Sequence, residues 1–192
     1  MSPALVQLDP DRFDPWKIQA VTHTLTEHPL LRIGALVELG KRLEERRLVR
    51  THSDDARAGT SFAEAPRLHP NPKTAAETLA NMAHARAWMS LLNVQADPTY
   101  RALVDEVLDD LRPAIEPRDP GMCYRAGWIF VSSPGAVTPF HIDHEHNVIL
   151  QICGKKHLYT WDPLDRTVVS ERAKELFHDQ HSREQVVWRD DL

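Results

Sequence analysis

Gly135-Ala-Val-Thr138-Pro-Phe-His141-Ile-Asp143-His-Glu-His-Asn147-Val-Ile-Leu-Gln-Ile-Cys-Gly154-Lys-Lys156 is the stretch on which the reading of this chain turns. His141 and Asp143 stand at i and i+2. In an extended strand those positions share a face, so an imidazole and a carboxylate reach one divalent metal from neighbouring sites. Such a pair supplies two members of the facial triad that binds non-haem Fe(II). Further on, Gly154-Lys155 has the length and composition of a two-residue hairpin turn. The turn predicts strands over Asn147 to Cys153 and Lys156 to Trp161. Cys153 then pairs with Lys156, Gln151 with Leu158, and Asn147 with Asp162. Directly opposed residues share a face, which brings Asn147, Gln151 and Lys156 to one side. A lysine there, a compact cation with three donors, suits the far end of a dicarboxylate that chelates the metal. Thr138, three residues before His141, adds a hydroxyl for the same carboxylate.

Outward from this segment the chain divides in character. Upstream, Ala126 to Val131 is a strand candidate and Ser133-Pro134-Gly135 a turn. Downstream, Ser170 to His181 reads as helix or loop, and Gln185 to Trp188 as the start of a strand. The first 115 residues read as mostly helical. Asp14-Pro15 supplies an N-cap residue and a first-turn proline before Trp16, Ile18, Val21 and Leu25. A helix is expected from Leu30 to Arg46, a short strand from Leu48 to His52, a loop over 53–73 and a helix from Ala75 to about Trp88. The clearest helix opens at Asp97-Pro98. Its apolar residues Tyr100, Leu103, Val104, Val107, Leu108 and Leu111 follow helical spacing, and Pro113 and Pro117 are expected to end it.

Composition narrows the function. The 192 residues carry 28 acidic and 23 basic side chains, a net charge of −5 with His neutral. A nucleic-acid-binding surface would be basic, so none is expected. The two cysteines, Cys123 and Cys153, form no CxxC pair, which argues against a zinc knuckle or dithiol site. Cys153 is expected to be a small buried residue. No apolar run approaches the roughly 20 residues of a membrane span, and no secretory leader is visible, so the expected location is the cytoplasm.

The pattern Thr138-x-x-His141-x-Asp143-x3-Asn147-x6-Gly154-x-Lys156 resembles the core of the JmjC-type, cupin-like Fe(II)/2-oxoglutarate oxygenases, in the branch of asparaginyl hydroxylases and their bacterial cupin-like relatives. The resemblance implies an α+β chain. Residues 1–115 would be a helical region packing on the sheet, and residues 120–192 the first part of a double-stranded β-helix (cupin, jelly-roll) core. It implies His141 and Asp143 as iron ligands, with Thr138, Asn147 and Lys156 holding 2-oxoglutarate. It further implies Fe(II), 2-oxoglutarate and O2 as cofactor and co-substrates, with a protein side chain or a small molecule as target. The family's distal histidine has no counterpart in strand context. His178 and His181 are the remaining candidates, and an incomplete core with an open, self-associating sheet edge is expected. Two alternatives stay open: a metal-dependent cupin enzyme that does not use 2-oxoglutarate, and a cupin-like binding module without catalysis.

Overall fold

The computed structural model describes residues 3–180 and 183–192. In chain order its elements are β1 (Val6–Gln7), β2 (Thr22–His23), α1 (Ile33–Glu45), β3 (Val49–Ser53), α2 (Ala65–Leu68), α3 (Ala75–Ala80), β4 (Ala87–Leu91), α4 (Pro98–Ile115), β5 (Ile129–Ser132) and α5 (Glu171–Gln180), with short 3-10 turns between several of them. β1 and β2 form a small antiparallel pair, and β3, β4 and β5 an antiparallel sheet with β4 in the centre.

Register makes the sheet two-faced. Thr51 opposes Met89, which opposes Val131, and Val49 opposes Leu91, which opposes Ile129. These apolar residues, with Thr51 among them, point one way. Met89, Leu91, Val49, Ile129 and Val131 pack with Leu36, Leu39 and Leu43 of α1, Leu79 of α3, and Tyr100 and Val104 of α4. Full burial of each such aliphatic side chain contributes about 1.5–3 kcal/mol, so this layer dominates the stability. The alternate positions put Arg50, His52, Trp88, Ser90, Phe130 and Ser132 on the opposite face. That face lies towards the segment carrying His141. A second cluster, with Val6, Leu25, Leu103 and Leu111 at its heart, takes Leu150 and Ile152 onto α4.

α1, β3, α4 and β5 match the sequence reading; several other expectations fail for physical reasons. No helix follows Asp14-Pro15; the chain turns there, runs extended through β2, and reaches a 3-10 turn at Leu25–Glu27. Its apolar residues do not share a covered face, since Trp16 and Ile18 stand in solvent. The helix expected from Ala75 to Trp88 stops at Ala80, and β4 follows. All five β4 residues are buried, so the strand shows no alternation and reads from sequence like an apolar helix segment. α4 runs past Pro113 to Ile115, held there by buried Ala114 and by Ile115 against the second cluster.

The predicted hairpin over 147–161 does not form. Neither arm is a strand, and no backbone hydrogen bond joins the two among the described residues. Val148, Ile149, Leu158 and Tyr159 are exposed, and a lone hairpin without a covered face is marginal in water. Gln185–Trp188 is likewise not a strand, and Cys153 is exposed rather than buried. The architecture is therefore helices with antiparallel sheets; a double-stranded β-helix is not apparent among the described residues.

Asp97 gives one direct test of this frame. Its carboxylate caps α4 by accepting from Thr99 N at 3.0 Å and meets Arg42 Nε of α1 at 2.7 Å. Burial pushes the Asp97 carboxyl up, but the bonds from Arg42 and Thr99 outweigh it and hold it below the ordinary 3.8. A depressed carboxyl stabilises the fold fully above its unfolded value and loses that contribution as pH falls through the lower folded one. Asp97→Ala is expected to cost about 1–2 kcal/mol at neutral pH in urea unfolding, and the cost should shrink below about pH 3–4 as the wild-type carboxyl protonates.

Candidate metal and ligand site

The His141 segment is held by its own alternation. Phe140 and Ile142 pack against Val169, Ala173 and Val186. Phe140 also meets Trp161 and Trp188 edge-on at ring distances of 5.1 and 5.9 Å, and its N–H donates to Ala58 O at 2.9 Å. With 140 and 142 turned inward, 141 and 143 share the other side. His141 Nε2 lies 3.4 Å from Asp143 Oδ2. His141 Nδ1 is 2.7 Å from Pro139 O. A carbonyl only accepts, so Nδ1 carries a proton, and Nε2 is the ring nitrogen that faces Asp143. His141 also stacks on Phe62 at 4.2 Å.

Asp143 has a second partner. Its Oδ1 accepts from Arg183 Nε at 2.7 Å. Burial would raise the Asp143 carboxyl, but the bonds from His141 and Arg183 outweigh it and keep it below the ordinary aspartate range. Arg183 reaches over Phe62 and Trp128 at 5.8 and 5.6 Å.

The remaining expected residues are distributed around this pair. Thr138 Oγ1 accepts from Trp88 Nε1 at 2.8 Å, which fastens the segment to the sheet. Lys156 Nζ lies 5.7 Å from the centre of the Phe130 ring. Partial burial there pulls its ammonium below the usual lysine range, although much of the side chain meets solvent. Asn147 is exposed, and no hydrogen bond ties it to the others among the described residues. The shared hairpin face expected to unite Asn147, Gln151 and Lys156 is absent, and Gln151 instead donates to Cys153 O at 2.7 Å. His178 sits on α5 with its ring 4.8 Å from that of His144, which stacks on Phe177 at 3.8 Å. His181 lies outside the described residues. Among the described residues, no three His, Cys, Asp or Glu side chains converge as a metal cluster. His141 and Asp143 lie together as a pair, 3.4 Å apart.

A cavity of about 150 Å³ opens on this face of the sheet, lined by Arg50, Phe62, Trp88, Ser90, Leu92, Trp128, Phe130 and Arg183. Phe62 connects it to His141, Phe130 to Lys156, and Arg183 to Asp143. The sequence reading missed Arg50, Ser90 and Trp88. Arg50 had a usable signal: in Val49-Arg50-Thr51-His52 a charged residue alternates into a strand that must cover a core. Trp88 fell at the end of the expected helix and Ser90 in a stretch with no expected element, so neither had one.

Comparison with protein-family models gives a match to the cupin-like domain over residues 22–190. Comparison with curated proteins and with solved structures gives no match.

Proposed function

The chain belongs to the cupin-like domain family, and from that premise we propose that it is an Fe(II)- and 2-oxoglutarate-dependent oxygenase. One observation carries the reading: His141 Nε2 and the Asp143 carboxylate stand 3.4 Å apart, with Nδ1 tied to a carbonyl. That hydrogen bond fixes the tautomer a metal-binding imidazole needs. His141 through Nε2 and Asp143 through its carboxylate would hold the metal, which when bound supplies the redox and Lewis-acid chemistry for oxidising a C–H bond with O2. The chain's own work is placement. Pro139 O orients the imidazole. Trp88 holds Thr138, and with it the segment, against β4. Lys156 offers a partly desolvated ammonium to the distal carboxylate of 2-oxoglutarate. Phe62, Trp88, Trp128 and Phe130 wall the cavity, with Trp128 and Phe130 partly in solvent.

The test is succinate formation from 2-oxoglutarate with Fe(II) and ascorbate. Lys156→Ala is expected to raise the KM for 2-oxoglutarate about 10- to 100-fold, the equivalent of ~1.5–3 kcal/mol for a hydrogen bond to a charged group, with a smaller change in kcat. An unchanged KM would leave a cupin enzyme that does not use 2-oxoglutarate.

A second reading is a cupin-like binding module without catalysis. It is favoured by Arg183, which occupies the Asp143 carboxylate. Absence of Mn(II) or Co(II) binding below about 1 mM would select it.

A further inference from the structure

Ser90 is fully buried in β4, the central strand of the sheet, yet its Oγ has no hydrogen-bond partner among the described residues. Across the register from it stands Arg50, whose Nε and Nη2 are likewise buried and unpartnered. On its other side stands Phe130. Buried donors without acceptors are costly, and native structures rarely keep them unmatched. These orphaned groups belong to two residues in one cross-strand row, and both residues line the same cavity.

Two guanidiniums flank the row. Arg50 stacks its guanidinium 4.3 Å from the Phe62 ring centre, and Arg183 approaches the same ring at 5.8 Å. The Asp143 carboxylate pairs with Arg183. Glu184, whose Oε1 accepts from Ala63 N at 2.6 Å, offsets part of the Arg50 charge. Burial and the charge of Arg183 together push the Arg50 guanidinium below its usual range. A planar anion satisfies both orphaned residues at once: it accepts from the guanidinium fork and from the hydroxyl.

The geometry points to a carboxylate-binding site, in which Arg50 and Ser90 hold the carboxylate while Phe62, Trp88, Trp128 and Phe130 cover a small apolar body. The cavity of about 150 Å³ has the size that accepts a benzene-sized molecule. The anchor is Arg50 on the sheet rather than Lys156, so the site stands whether or not the oxygenase reading does. The carboxylate has two possible sources, 2-oxoglutarate itself or a separate small acid.

The experiment is titration of the 192-residue, metal-free chain in EDTA, followed by tryptophan fluorescence and calorimetry. Its probes are benzoate, benzyl alcohol and 2-oxoglutarate. Benzoate is expected to bind, and benzyl alcohol at least about tenfold more weakly. Arg50→Gln is expected to weaken benzoate at least about tenfold, and Ser90→Ala several-fold. If 2-oxoglutarate also weakens in Arg50→Gln, the co-substrate is the source of the carboxylate. If only benzoate weakens, the source is a separate acid. Near-UV circular dichroism verifies folding, and Arg50→Lys, which keeps the charge but loses the fork, substitutes if Arg50→Gln does not fold. Two results overturn the proposal. One is that no carboxylate binds below about 10 mM, which leaves water as the partner of these donors. The other is that folded Arg50 and Ser90 variants bind benzoate as the wild type does.

Discussion

Asp143→Ala is expected to lower Mn(II) or Co(II) affinity at least about 100-fold, since loss of a direct ligand exceeds the 10- to 100-fold cost of losing a residue that only orients one. Succinate formation from 2-oxoglutarate should fall with it. Asp143 faces His141 through Oδ2 and Arg183 through Oδ1. A metal held by the pair competes with Arg183 for the same carboxylate. Arg183→Gln is therefore the informative companion: it should raise metal affinity while Asp143→Ala lowers it. The folding cost of Asp143→Ala should be about 1–3 kcal/mol, because both side chains of the ion pair are largely covered and Arg183 loses its acceptor. A calorimetric metal titration beside a urea melt separates the two effects. Metal affinity unchanged in Asp143→Ala would place any metal elsewhere on the chain.

Trp88→Ala is expected to cost about 3–5 kcal/mol, the range for removing a buried large aromatic. The residue is 1% exposed. It stacks on His52 at 4.8 Å, tilts against Phe130 at 5.7 Å and donates to Thr138. Domains of this kind hold about 5–15 kcal/mol in total, so the variant should sit near its unfolding threshold, seen as a large drop in the urea midpoint. Trp88→Phe isolates the hydrogen bond. It retains most of the packing but leaves Thr138 Oγ1 without its donor, at about 1 kcal/mol. It should also loosen the segment that presents His141. A Trp88→Phe variant as stable as the wild type would show that the indole N–H contributes nothing.

Local pattern carried far in some parts of this chain and failed in others. α1 and α4 were legible because their apolar residues recur at helical spacing over several turns, and Asp97-Pro98 marks where α4 begins. β3 and β5 were legible because β-branched and aromatic residues alternate in them. The His141–Asp143 pair was legible because i and i+2 share a side, and the structure sets the two 3.4 Å apart. β4 was not legible: it is buried on both faces, so its sequence has no period to betray it. The hairpin over 147–161 was over-read, because a good turn dipeptide does not supply the second layer that a hairpin must pack against.

What the sequence determined by itself, then, is the helices with a repeating apolar stripe and the neighbouring imidazole and carboxylate, since both depend only on residues a few positions apart. The tertiary structure decided which distant side chains share the cavity: Arg50 from β3, Ser90 and Trp88 from β4, Phe130 from β5 and Arg183 from beyond α5. Those residues are set by strand register and by the packing of Phe140 and Ile142. Both are long-range contacts, fixed only when the whole core closes and buries its apolar surface.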